Sequence, residues 1–158
     1  MADATIVRCS ALVFGPDGQV LLVRRNRGPD PDYVLPGGTP RPGESLGACA
    51  RREVREETGL EVNPVRVAFI LETAEGISGA MVDVVFTADV ADESREAGPL
   101  RAVEDGLCPE FVDLDRLGGL RLLPPIAGHI RGFARDRHPA TIPILGNLWR
   151  SHLGSSRG

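Results

Sequence analysis

The sequence predicts an α+β domain, and three observations carry that reading. Runs rich in β-branched and apolar residues recur between turn signals, one segment over 46–58 switches to helical spacing, and 158 residues suit one domain with one hydrophobic core. The expected organisation is a single domain over residues 1–145 and a loose C-terminal tail over 146–158.

Ile6–Phe14 reads as a first strand, and Gly15-Pro16-Asp17-Gly18 is a turn signal before a second apolar run, Val20–Val23; together they predict a β-hairpin. Arg24, Arg25 and Arg27 lead into the loop Gly28-Pro29-Asp30-Pro31-Asp32, and Tyr33–Leu35 is a short extended piece before Pro36-Gly37-Gly38. Leu46, Gly47, Ala50 and Val54 then lie along one helical stripe. With Ser45 as N-cap and Gly59 as C-terminal stop, they predict a helix over 46–58. Val65–Leu71 and Met81–Val90 are strand-like runs joined through Glu75–Gly79, Phe111–Leu114 is a shorter one, and Pro124-Pro125 opens a last helix through about Arg135.

Composition excludes several functions. All 18 cationic side chains are Arg, so a P-loop NTPase, a protein kinase and a Schiff-base enzyme are ruled out for want of a lysine. The longest stretch free of Asp, Glu and Arg is His138–Trp149, 12 residues, too short for a membrane span. Cys9, Cys49 and Cys108 are odd in number and far apart, with no C-x-x-C pair, which predicts reduced thiols in a cytoplasmic protein. The net charge of −4 is uneven: residues 89–115 carry −7 and residues 116–158 carry +6. With an acidic total and few aromatics, the basic end reads as a solvated arginine face rather than a nucleic-acid surface. No membrane partner is expected, and a homodimer is left open.

The helix over 46–58 contradicts its own local rules. Glu53, Glu56 and Glu57, at i, i+3 and i+4, crowd three carboxylates onto one face, and the last two sit at the negative end of the helix dipole. Each violation costs roughly 0.3–1 kcal/mol. Arg51, Arg52 and Arg55 offset part of this, although Arg51 and Arg55 point away. Two readings stand side by side at this point: a solvated acidic face paired with neighbouring arginines, or oxygen ligands for a hard divalent cation such as Mg²⁺ beside a Gly-Gly loop.

The wider pattern bears on that choice. Gly38, five residues, Glu44, seven residues, and then Arg52-Glu53-Val54-Arg55-Glu56-Glu57-Thr58-Gly59-Leu60 resembles the Nudix box, G-x5-E-x7-R-E-U-x-E-E-x-G-U with U a bulky aliphatic residue. All the specified positions match, a coincidence on the order of 10⁻⁹ per start position. Weaker likeness runs over about residues 5–135. The resemblance implies a mixed β-sheet sandwiched between α-helices, and a hydrolase that cleaves the pyrophosphate bond of a nucleoside diphosphate linked to another group.

It also implies roles. Glu53, Glu56 and Glu57 are expected to ligate Mg²⁺ or Mn²⁺ with the Gly38 carbonyl, and these glutamates are the expected catalytic groups. Glu44 and Arg52 form a bracing ion pair, Ser45 caps the helix, and Val54 and Leu60 pack it on the sheet. The chemistry agrees, because a pyrophosphate repels its water nucleophile until cations neutralise it and hold water in line. Glu56 or Glu57 is the general base within the box, while Glu104 or Asp105 is a candidate late carboxylate from a later loop. Arg24 and Arg25 are candidate phosphate clamps or a surface pair. Tyr33 and Phe111 suit core packing better than base stacking, and His129, His138 and His152 are assigned no role.

Two rival functions are weighed. Gly43-Glu44-Ser45-Leu46-Gly47 matches the nucleophile elbow of a serine hydrolase using Ser45, but Thr39-Pro40-Arg41-Pro42 stands where that elbow needs a buried strand. A non-catalytic Nudix-like nucleotide-sensing module is the other, and it would be free to lose a ligand position that this chain keeps. Among nucleotide-type small-molecule substrates, Gly76 occupies the position where many ADP-ribose hydrolases of the family carry proline. No tyrosine follows for dinucleoside polyphosphates, and no coenzyme A signature precedes the box. These absences favour a nucleoside triphosphate or a nucleotide sugar.

Overall fold

The computed structural model describes residues 4–73, 80–95, 98–102, 104–137 and 139–146. The chain runs β1 (Ile6–Leu12), β2 (Gln19–Arg25), β3 (Asp32–Val34), β4 (Gly37–Gly38), α1 (Leu46–Thr58), β5 (Val62–Thr73), β6 (Met81–Val90), α2 (Asp92–Arg95), β7 (Leu107–Asp113), a 3₁₀ turn over Leu114–Gly119, α3 (Ala127–Arg135) and β8 (Ile144–Gly146). Five strands form a mixed sheet in the order β4-β1-β6-β5-β8, and β3-β2-β7 form an antiparallel sheet.

Strand alternation explains how the layers assemble. Ala11 and Val13 pack with Val54, Leu60 and Val62 on the α1 side, while the intervening Leu12 joins Phe69, Ile130 and Phe133 on the α3 side. The same switch occurs in β2, where Leu21 faces α1 and its neighbours Val20 and Leu22 face α3. The sheets therefore lie between the two helices, an α+β arrangement with mixed pairing as expected.

The predicted hairpin is corrected by the pairing. The turn at Gly15–Gly18 forms, with the Gly15 N–H donating to the Gln19 carbonyl at 2.7 Å and Leu21 N–H to Val13 at 2.9 Å. Beyond that tip the strands part: β1 pairs in parallel with β6, and β2 pairs antiparallel with β3 and β7. Local turn chemistry was satisfied by the tip alone, and the distant strands supply most of each ladder.

The helix α1 occupies the predicted residues. Ser45 accepts the Ala48 N–H at 3.2 Å, and Gly59, at φ 78°, donates its N–H to the Arg55 carbonyl in a left-handed cap. Its buried stripe is Cys49, Ala50, Val54 and Thr58; Leu46, expected on the stripe, is 38% exposed. Ser45→Ala is expected to cost about 1 kcal/mol, lowering Tm by roughly 2–4 °C with activity retained, as a thermal melt and an activity assay would read.

β5 begins earlier than expected. Its ladder with β6 is interrupted between Pro64 and Arg66, where Pro64 has no N–H to give and Val65 bulges outward, and again between Val67 and Phe69. α3 starts at Ala127, so Pro124 and Pro125 precede the helix rather than forming its first turn. β8 was not expected; it adds Ile144–Gly146 in parallel to β5. Apart from Gly146, the expected tail lies outside the described residues, as do the Glu75–Gly79 connection, His138 and His152.

Candidate active site

α1 carries the box glutamates to the strand β4, which runs antiparallel to β1 with Gly38 opposite Cys9 and Gly37 opposite Ser10. Both glycines are required by close approach. A Cβ on Gly38 would collide with the carboxylate of Glu53, and one on Gly37 with the Ser10 hydroxyl and the Cys9 carbonyl. The Gly-Gly pair therefore lets a carboxylate and a strand edge touch the backbone.

Arg52 organises the outer part of the site. Its guanidinium forks Glu44, Nε to Oε1 at 2.7 Å and Nη2 to Oε2 at 2.9 Å, and Nη1 reaches Glu53 Oε1 at 2.8 Å and Glu56 Oε2 at 3.2 Å. Nη2 also donates to the Thr39 carbonyl at 3.2 Å, tying the loop to the helix. These contacts hold the Glu44 carboxyl down at about 2 and raise Arg52 above its already high value. Arg41 takes the other oxygen of Glu56 at 3.3 Å, while Arg51 and Arg55 turn to Glu61 on the far side.

Glu57 lies deeper. It accepts the Gly37 N–H at 3.1 Å and has no ion pair among the described residues. Burial pushes its carboxyl up to about 8, and the charges of Glu53 and Glu104 add to the rise, opposed by the Gly37 N–H and Arg8. Glu104 is thus within electrostatic reach of Glu57 although 47 positions later in sequence; Asp105, next to it, is exposed.

Among the described residues, no three His, Cys, Asp or Glu side chains stand together closely enough to enclose a metal ion. The box glutamates meet instead through Arg52 and the Gly37 N–H. Their chemistry fits Mg²⁺ or Mn²⁺ nonetheless: the donors are all oxygens, Glu53 fills the cradle over Gly38, and Glu57 is a half-buried carboxyl with no ion-pair partner among the described residues. The Gly38 carbonyl accepts the Cys49 thiol at 3.7 Å.

The structure does not bring Arg24 and Arg25 together. Adjacent strand residues face opposite sides, so the two guanidiniums leave β2 on different faces. Arg25 pairs with Asp32 at 2.6 Å and lines a cavity with Arg8, while the Arg24 Nε is buried without a hydrogen-bond partner among the described residues. Tyr33 is buried in the core, Phe111 packs against the α1-side cluster, and His129 is exposed. Ser45 is committed to capping α1. The Cys9 and Cys49 thiols are buried and raised, Cys9 to about 12, so neither is a nucleophile at neutral pH.

Three residues escaped the sequence reading. Ser10 donates to Asp83 Oδ2 at 2.8 Å, and Arg8 Nε lies 3.9 Å from the same oxygen. Burial raises the Asp83 carboxyl against the pull of Ser10 and Arg8. Asp83 interrupts the apolar run Met81–Val90, and a charge in such a run was the available signal.

An ADP-ribose pyrophosphatase of Methanocaldococcus jannaschii is 31% identical over 107 residues, covering 66% of this chain and 60% of that protein. Nudix hydrolase 5 of Arabidopsis thaliana is 32% identical over 89 residues, 54% of this chain and 30% of that one. The chain thus spans less than two thirds of the length of either relative. A solved NUDIX hydrolase from Nitrosomonas europaea shares the fold, with a TM-score of 0.71 and 24% identity over 87% of this chain and 94% of its own. The NUDIX domain family matches residues 5–135, from the strand that carries Arg8 and Ser10 to the last residue of α3, and the chain belongs to that family.

Proposed function

We propose that the protein is a Mg²⁺- or Mn²⁺-dependent pyrophosphohydrolase that cleaves a nucleoside diphosphate linked to another group, with a nucleoside triphosphate or a nucleotide sugar favoured. The observation that carries this reading is Glu57, a half-buried carboxyl with no ion-pair partner among the described residues, hydrogen-bonded to the Gly-Gly strand beside the Arg52-held pair Glu53 and Glu56. Glu53, Glu56, Glu57 and the Gly38 carbonyl would hold the ion, which supplies charge neutralisation at the pyrophosphate oxygens. Arg8 and Arg25 line the adjoining cavity and give its occupant cationic partners.

Without a cation the Glu57 carboxyl, near 8, holds its proton at neutral pH; a bound cation would favour the carboxylate, and that carboxylate is the first candidate for the base. Glu104, whose charge reaches it, is the second candidate. Glu104→Gln is expected to lower kcat at least tenfold with KM little changed; a fully active variant would leave the base within the box.

A nucleotide-type small molecule is the proposed partner. The acidic total charge and the three free thiols support a cytoplasmic protein, and no helix among the described residues is long and apolar enough to cross a membrane. The test is a panel of nucleoside triphosphates and nucleotide sugars assayed for released phosphate, pyrophosphate or nucleoside monophosphate. Turnover of some member with millimolar Mg²⁺, lost in excess EDTA, is expected; undiminished turnover in EDTA, or none on any nucleotide, contradicts the reading.

A further inference from the structure

Beside the box lies a cavity of about 180 Å³, too small for a whole nucleotide and suited to one ring system. Leu35, Leu71, Met81 and Leu123 contribute apolar walls, Ser10 and Asp83 are its polar residues apart from the arginines, and Arg8 and Arg25 supply cations. It is continuous with the box through the backbone: Gly37 donates to Glu57 and lies directly against the Ser10 hydroxyl, which in turn donates to Asp83.

The hydrogen-bonding character of Ser10 and Asp83 is one-sided. Ser10 has given its only proton to Asp83 Oδ2 at 2.8 Å, so it offers lone pairs alone. Asp83 Oδ1 is buried and has no hydrogen-bond partner among the described residues, and a half-turn of the carboxylate exchanges it with Oδ2. A ligand edge that brings N–H donors to this carboxylate recovers its desolvation, whereas a carbonyl oxygen is repelled at Asp83 and finds partners only at the arginines.

We propose that Asp83, anchored by Ser10, reads the nucleobase and selects one whose edge presents adjacent N–H donors, guanine above all. Guanine places a ring N–H beside an exocyclic amino group, hypoxanthine lacks the amino group, and uracil flanks its single N–H with two carbonyls. The inference rests on the proposed nucleotide chemistry of the neighbouring box, and it names the substrate class of that site.

The experiment is calorimetric binding of guanosine, 2′-deoxyguanosine, inosine and uridine 5′-monophosphates in EDTA, where no hydrolysis intervenes. Wild type should bind the guanosine nucleotide at least tenfold more tightly than the inosine one, with uridine weakest. Asp83→Asn, which turns one acceptor into a donor, should compress the guanosine–inosine ratio below threefold, and Ser10→Ala should reduce it at least threefold if the Asn variant fails to fold. Equal affinities for guanosine and inosine nucleotides, or no binding of any monophosphate, overturn the proposal. Discrimination against the deoxynucleotide without a guanosine–inosine difference assigns Ser10 and Asp83 to the ribose and also overturns it. Parallel assays with Mg²⁺ separate the two levels: turnover of guanosine and inosine triphosphates at equal kcat/KM defeats base reading alone, whereas no turnover of any nucleotide defeats the hydrolase.

Discussion

Glu57→Gln is expected to lower kcat by roughly 10²–10⁴-fold, the range a lost general acid–base group produces, while leaving the metal-free protein no less stable than wild type. The stability half follows from burial. The Glu57 carboxyl rises from 4.5 to about 8 in the folded protein, so between those values the native state holds a proton that the unfolded chain releases. Its contribution therefore falls as pH rises through this window, with the full cost present above about 8 and none below about 4.5. Glutamine keeps the acceptor for the Gly37 N–H and removes the charge. Metal-free melts should place the variant above wild type at pH 9, with the gap closing as pH falls toward 4.5. A sharp loss of apo stability at pH 9 would make Glu57 a structural partner instead.

Arg52→Ala is expected to damage both fold and activity. The guanidinium is the shared positive charge of Glu44, Glu53 and Glu56 and the tie to the Thr39 carbonyl, and its side chain is only 10% exposed. Without it the three carboxylates repel one another and the loop before α1 loses its anchor. Melting in EDTA should show a clear fall in Tm, and kcat/KM should drop at least tenfold. Because a divalent cation at Glu53 and Glu56 restores part of the lost positive charge, the Tm deficit should be smaller in Mg²⁺ than in EDTA. A deficit of equal size in both would separate Arg52 from the metal ligands.

What could be read from the sequence was what lies close together along it. Ser45, the 3.6-residue spacing of Ala50 and Val54, and Gly59 bound α1 by local chemistry, and the whole box falls within residues 38–60. The strands were visible as apolar runs, but which strand pairs with which was not. The Gly15–Gly18 turn suggested a hairpin, and only the pairing of β1 with β6 across some 75 positions sends β1 and β2 into different sheets. The same distance hid the cavity: Ser10 and Asp83 are 73 positions apart and meet through that parallel register. The arginines Arg24 and Arg25 looked like a pair in sequence, and the pleat of β2 turns them to opposite faces. Glu104 was suspected from its acidic loop, and only the fold puts its charge within reach of Glu57.

If the Glu53, Glu56 and Glu57 face of α1 holds a divalent cation, thermal melts of wild type and Glu57→Gln, each with EDTA and with saturating Mn²⁺, will register it. Binding to the native state alone adds RT ln(1 + [L]/Kd), about 2.7 kcal/mol at a hundred times Kd, so wild-type Tm should rise by several degrees. The increment should shrink markedly in the variant, which lacks one ligand. An unchanged wild-type Tm, or a full increment in Glu57→Gln, would contradict the account.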